Sequence, residues 1–221
     1  MFFLKKNFHT QKLYAKERIG PHNKDVISVL VGNLLGDGYA EKRNNSTRFH
    51  IHMSSRNAEY LFWLHKFFAE KGYSSPTKPV VKKQIGKNNN IYFSINFKTF
   101  SFSSLNFIYD SFYNKEKKVV PTNIYTFLTE KALAIWVMDN GVFSSKKDLR
   151  GSGMKISTES FSYEENLLLQ KTLSEKFSIK PTIQHHKQKY LLYFKKNILF
   201  SLSYIIKSHM LPCMYYKYNL E

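Results

Sequence analysis

The chain has 221 residues and carries 34 Lys+Arg against 16 Asp+Glu, a formal net charge of +18 that marks a polyanion binder. Hydrophobic residues make up 43% and aromatics 16%, which excludes global disorder. A single cysteine, Cys213, excludes an internal disulfide and any zinc site built on cysteine, and fits a reducing compartment.

Length allows one large domain or two of roughly 100 residues. Residues 1–20 form a basic arm, with Lys5, Lys6, Lys12, Lys16 and Arg18 against the lone acid Glu17. That composition suits a transit peptide and equally an arm lying on nucleic acid. Asp25 is the expected N-cap of an apolar helix from Val26 to Leu35, which Gly36 and Gly38 close. This stretch contains Ser28, Gly32 and Asn33 and falls well short of the roughly 20 apolar residues a membrane helix needs. No membrane association is expected.

Arg48 to Ser54 alternates Phe49, Ile51 and Met53 with Arg48, His50 and His52, a period of 2 that predicts a strand with one apolar and one basic face. Asn57 to Lys71 spaces Leu61, Leu64 and Phe68 as one face of a helix, stopped by Gly72 and Pro76. Lys78 to Asn96 reads as a long basic hairpin with Lys82, Lys83 and Lys87 on its arms and Gly86 and Asn88 to Asn90 at its tip. Phe102 to Tyr113 predicts a third helix, and Lys115 to Pro121 a linker. The same order then recurs: helix from Thr129 to Met138, strand from Gly153, helix from Tyr163 to Phe177, hairpin from Pro181 to Phe194, helix from Ile198 to Ser208.

The recurrence is visible in the residues themselves. Glu59, Lys66, Glu70, Lys71, Pro76 and Thr77 align at one constant offset with Glu164, Lys171, Glu175, Lys176, Pro181 and Thr182, all identities. Phe49 and Ile51 fall opposite Met154 and Ile156. Two copies of one supersecondary unit follow, a first over 21–121 and a second over 122–221.

The first helix of each copy ends in a related nonapeptide, Leu30-Val31-Gly32-Asn33-Leu34-Leu35-Gly36-Asp37-Gly38 and Leu133-Ala134-Ile135-Trp136-Val137-Met138-Asp139-Asn140-Gly141. With Lys117-Lys118-Val119-Val120-Pro121 and the closing Met210 to Lys217, the chain resembles the two-repeat, intron-encoded LAGLIDADG homing endonucleases over nearly its whole length. The resemblance implies an α+β fold of two pseudo-symmetric αββαββα repeats with saddle-shaped antiparallel sheets. It also implies action as a monomer on double-stranded DNA, with Mg²⁺ as cofactor. Heavy use of Phe, Tyr, Asn, Lys and Ile, which have AT-rich codons, agrees with a mitochondrial, organelle-encoded origin and a place in the matrix.

In the register of the nonapeptides the resemblance implies that Asp37 is the metal-binding acid of the first copy, with Asn140 standing where the second copy would carry its acid. An amide brings no negative charge, so metal affinity and water activation fall in that half. Asp139, one residue earlier, points about 100° away on a helix and is not expected to substitute. By resemblance, Lys118 and Lys217 take the places of lysines close to the scissile phosphates. Two functions remain in view: a homing-endonuclease scaffold whose double-strand cleavage is compromised at Asn140, and a non-cleaving binder of structured RNA such as an intron or rRNA, as a maturase or ribonucleoprotein component.

The sheet faces would carry recognition. Arg48, His50, His52, Lys82, Lys83 and Lys87 are expected in one groove and Lys155, Gln184, His186, Gln188 and Lys195 in the other, Lys and Arg on phosphates and Arg, Asn and Gln on base edges. His50 with His52 and His185 with His186 are read as groove-facing polar residues, not metal ligands. Trp63 and Trp136 are read as core.

Overall fold

A computed structural model of the chain describes residues 21–86, 89–144 and 153–217. The basic arm and Lys87 lie outside the described residues. Among them no helix is long and apolar enough to cross a membrane.

The first repeat runs α1 (Lys24–Leu35), β1 (Tyr39–Arg43), β2 (Ser46–Ser54), α2 (Ala58–Glu70), β3 (Lys82–Ile85), β4 (Ile91–Lys98) and α3 (Asn106–Phe112). The chain then forms a small hairpin of β5 (Tyr113–Asn114) and β6 (Lys117–Lys118) and a short helix α4 (Ile124–Phe127). The second repeat runs α5 (Glu130–Asn140), β7 (Gly141–Ser144), β8 (Gly153–Ser157), α6 (Tyr163–Phe177), β9 (Thr182–His186), β10 (Lys189–Lys195) and α7 (Lys196–Ile206). Each repeat builds one four-stranded antiparallel sheet, ordered β1-β2-β4-β3 and β7-β8-β10-β9. The two orders are the same, which is the αββαββα duplication the sequence predicts.

One face of each sheet is apolar and covered by helices. Phe49, Ile51, Met53 and Ile95 of the first sheet, and Met154, Ile156, Leu192 and Phe194 of the second, join one core with Leu61, Leu64, Phe68, Leu169 and Leu173. The period of 2 in β2 therefore puts Arg48, His50 and His52 on the opposite, uncovered face.

At the centre α1 and α5 pack in parallel, and both are apolar nearly all round because each is enclosed on most sides. Polar ties mark their N-terminal ends: Lys131 pairs with Asp25 at 2.8 Å, and Thr129 Oγ1 donates to Ser28 Oγ at 2.8 Å. Further along, Gly32 permits the approach. A Cβ there would sit 2.6 Å from the Ala132 carbonyl oxygen and 2.6 Å from Ile135 Cβ.

Three expectations change in the structure. The N-cap of α1 is Asn23, whose Oδ1 accepts from the Asp25 amide at 2.7 Å, so Asp25 lies in the first turn. There its charge meets the helix N-terminus and Lys131, both favourable. The stretch expected as a linker is structured instead, since the β5–β6 hairpin brings Lys118 to the turn at the C-terminal end of α1. The Val120 amide then donates to Glu165 Oε1 at 2.8 Å, the same carboxylate that completes the capping box of α6 with Ser162. Finally, the first arm of the β3–β4 hairpin is only four residues long, shorter than the ribbon expected.

Candidate active site where the two repeats meet

α1 stops at Leu35, so Asp37 sits in the turn beyond it with its side chain exposed, whereas α5 continues through Asn140. The two equivalent positions thus differ in backbone as well as chemistry. Although the residue is exposed, the protein around it strips part of its hydration and raises the Asp37 carboxyl above its ordinary value, and the charges of Lys118 and Lys217 oppose that rise.

Asn140 does not face the site with both its polar atoms. Its Nδ2 donates to the Ser157 carbonyl at the end of β8 at 3.0 Å, while its Oδ1 is buried with no hydrogen-bond partner. A carboxylate could not make the Ser157 bond, because both groups would be acceptors. The amide is the residue that fits this spot as folded.

Asp139 is sealed between the helices. Its Oδ2 accepts from Asn33 Nδ2 at 2.9 Å and its Oδ1 from the Tyr60 hydroxyl at 2.8 Å. The backbone of Asp37 bonds to the same carboxyl. A Cβ on Gly36 would lie 2.5 Å from Asp139 Oδ2, so the bare glycine makes room for this carboxylate to cross the interface. Burial pushes the Asp139 carboxyl up to about 7 despite those hydrogen bonds, and burial first, then the Asp139 charge, lifts Tyr60 well above its ordinary value. Asp139 is therefore a fixed strut, buried and bonded on both carboxylate oxygens, while Asp37 is exposed.

This strut makes a prediction. Because the folded Asp139 carboxyl titrates near 7 rather than near the ordinary Asp value of about 4, its contribution is most favourable at low pH and is lost as pH rises from about 4 to 7, by at most about 4 kcal/mol. Urea midpoints at pH 5 and 8 should fall more in the unaltered chain than in Asp139→Asn, which cannot ionise. Equal slopes in the two proteins would contradict the assignment.

The lysines complete the site with matching roles. Lys118 Nζ donates to the carbonyls of Gly36 at 3.0 Å and Gly38 at 2.7 Å, and Lys217 Nζ reaches the Asp139 carbonyl at 3.5 Å. Gly36 and Asp139 are equivalent nonapeptide positions, so the two lysines are related by the same pseudo-symmetry. Burial lowers both, Lys118 to about 8, with the Asp139 and Asp37 charges resisting the fall. Among the described residues no group of three or more His, Cys, Asp or Glu side chains could hold a metal ion. A divalent cation that keeps several waters needs only one or two carboxylates plus phosphate oxygens. The donors present fit such an ion at Asp37 and do not fit an equal one at Asn140.

The sheet faces hold most of the expected groove residues, with corrections. Cross-strand pairing places His50 opposite Lys98 and His52 opposite Asn96, and Lys82 lies on the same face. Lys83 alternates to the other face, opposite Phe93. Arg48 and His50 are already engaged by Glu41, a residue the sequence reading passed over. In the second sheet Lys155 lies opposite Tyr193, Gln184 opposite Leu191, and Lys195 opposite Gly153 at the strand end. Gln188 sits in the two-residue turn between β9 and β10 at φ 64, not on the face. His186 pairs with Lys189 in the backbone ladder, and its side chain lies outside what is described. Trp136 is fully buried and Trp63 packs partly buried against the core.

This fold and junction define the class: the profile of the LAGLIDADG DNA endonuclease family matches residues 27–200, and the chain belongs to that family. It is 34% identical over 219 residues to the cytochrome b mRNA maturase bI2 of Saccharomyces cerevisiae, covering 94% of this chain and 50% of that protein. It is 35% identical over 164 residues to the intron-encoded endonuclease ai4 of Dictyostelium discoideum, covering 72% of this chain and 99% of that one. In fold it is similar to the homing endonuclease I-WcaI bound to its DNA recognition sequence, with a TM-score of 0.82 at 21% identity over 94% of this chain and 91% of that one. The chain spans about half the length of the maturase relative.

Proposed function

We propose that the protein is an intron-encoded nucleic-acid-binding member of this family in which strand scission is confined to the half built on Asp37. The observation that carries this reading is the asymmetry of the junction: an exposed carboxylate beside Lys118 in one repeat, and an amide bonded to Ser157 in the other. Mg²⁺, when bound at Asp37, would supply Lewis-acid stabilisation of charge on a phosphate. Asp37 would hold that ion and orient water toward the phosphorus. Lys118, fixed by two carbonyls, would place its ammonium beside the charge that develops on the phosphate oxygens. Lys217 would do the same for the second strand, where no acid completes the set.

Binding itself needs none of this chemistry. The basic residues of the two sheet faces would neutralise phosphates and release counterions, with one chain spanning the target as a monomer because its two repeats already supply both halves. A mitochondrial matrix setting accords with a relative named for cytochrome b mRNA. The maturase relative and the settled position of the Asn140 amide also favour a second reading, in which the same chain binds structured intron RNA without cutting.

The two are separated by gel-shift titration of duplex DNA spanning the uninterrupted insertion point against the folded intron RNA, with and without chelator. Duplex binding that survives chelator and weakens steeply with salt is the expected result. Tight RNA binding with none to duplex would replace the first reading by the second. Scission itself should weaken as pH rises through about 8, where Lys118 loses its proton, and Lys118→Met should remove that limb along with most of the rate.

A further inference from the structure

Glu41 stands out on the groove face as an acid on a surface built for a polyanion. It lies on β1 directly opposite Arg48 of β2, and Tyr39 lies opposite His50. Glu41 Oε2 accepts from Arg48 Nε at 2.7 Å and from His50 Nε2 at 2.9 Å, and Oε1 pairs with Arg43. The Tyr39 ring stacks flat on His50, centroids 4.6 Å apart and 9° between planes. Glu41, Arg48 and His50 side chains are each less than a quarter exposed, so the cluster is held by its neighbours as well as by its bonds. With Lys118, whose ammonium bonds the carbonyls on either side of Asp37, it lines one cavity.

A carboxylate here subtracts from phosphate attraction, so electrostatics alone do not explain it. Its bond to Arg48 uses Nε, one of five guanidinium donors, and leaves the donors of the two terminal nitrogens for an external acceptor in a fixed plane. Bidentate donation from a guanidinium to O6 and N7 is the commonest way to read guanine in the major groove, and pre-orientation removes the ordering cost of a long side chain.

We propose that Glu41 is a positioning residue for sequence choice, presetting Arg48 to read a guanine in the base pairs next to the cleavage centre. This rests on the reading that the sheets face duplex DNA. The prediction is confined to one position of the target, which separates it from a general loss of affinity.

The test is binding selection on a duplex library randomised across the target, read by sequencing, for the unaltered chain, Glu41→Gln, Arg48→Ala and Arg48→Lys, each checked for an unchanged circular dichroism spectrum. Arg48→Ala should lose a guanine preference of about tenfold to a hundredfold at a single position. Glu41→Gln should weaken the same preference at the same position. Arg48→Lys should also lose it while keeping the dependence of log affinity on log salt, since the charge remains. A drop spread evenly over all sequences, with a salt slope lower by about 1 in Arg48→Ala, would show a phosphate contact and overturn the proposal. Preferences unchanged in Glu41→Gln would overturn the role of Glu41. Failure of the unaltered chain to bind any duplex would overturn the duplex reading and this inference with it.

Discussion

Asp37→Asn should abolish strand scission, by about a thousandfold or more, and leave duplex affinity within a few fold. The magnitude follows from what is removed. Asp37 is the one exposed carboxylate at the nonapeptide ends, Asp139 being sealed against Asn33 and Tyr60 and Asn140 being uncharged. Among the described residues no second acid stands exposed at the nonapeptide ends to hold an ion or orient water, and the loss of a preorganised charge at the reacting centre is among the most costly single changes in catalysis. Affinity, in contrast, comes from lysines and arginines spread over two sheets, and one acid fewer makes the surface slightly more attractive to phosphate. Strand scission and filter binding on the same preparations measure both. A variant that still cut at a tenth of the parent rate would move the chemistry to another residue.

Gly32→Val should unfold the chain or lower its stability by several kcal/mol. The first carbon of any side chain at Gly32 already meets the Ala132 carbonyl oxygen and Ile135 Cβ at 2.6 Å, and backbone cannot rotate out of the way as a side chain can. Overpacking a core typically costs about 1–3 kcal/mol, and valine adds two further methyls at a contact between the two central helices. Their separation would also pull Gly36 from Asp139 and so loosen the turn that carries Asp37. Chemical denaturation followed by tryptophan emission reports this directly, since Trp136 lies on α5 and is fully buried. Gly72, where φ is 77 and a Cβ would meet nothing within 4 Å, is the control for a glycine kept for backbone conformation instead.

The elements with strong periodicity were legible in the amino-acid order. The helix expected over Tyr163 to Phe177 is observed with those bounds, because Ser162 and Glu165 form a capping box at one end and Ser178 turns left-handed at the other. The alternation of β2 likewise announced its two faces. Recognition of the paired nonapeptides placed Asp37, Asn140, Lys118 and Lys217 at one junction, and the structure gathers them there.

What was not legible depends on contacts distant in sequence. Asn23 and Asp25 are equally good caps on paper, and only Lys131, a hundred positions on, shows what Asp25 is for. Lys83 could be assigned a face only once the register with Phe93 was known. β1 carries no apolar alternation, so Glu41 gave no sign of holding Arg48 and His50. The burial of Asp139 was hidden for a related reason: a carboxylate in an apolar helix is expected to point outward, and bare Gly36 with the Asn33 amide and the Tyr60 hydroxyl makes an inward position possible. Likewise, nothing in sequence tied the Asn140 amide to the Ser157 carbonyl.

If one repeat retains the means to cut and the other does not, the two strands of the target should be broken unequally. The direct measurement is cleavage of a supercoiled plasmid carrying the uninterrupted insertion point, in Mg²⁺, by the unaltered chain and by Asn140→Asp. A carboxylate at 140 cannot donate to Ser157, so it would give up that bond and turn toward the junction. The asymmetric junction predicts nicked circles alone from the unaltered chain, with the break in one defined strand, and linear product from Asn140→Asp. Linear product from the unaltered chain, or no gain of second-strand cleavage in Asn140→Asp, would contradict it.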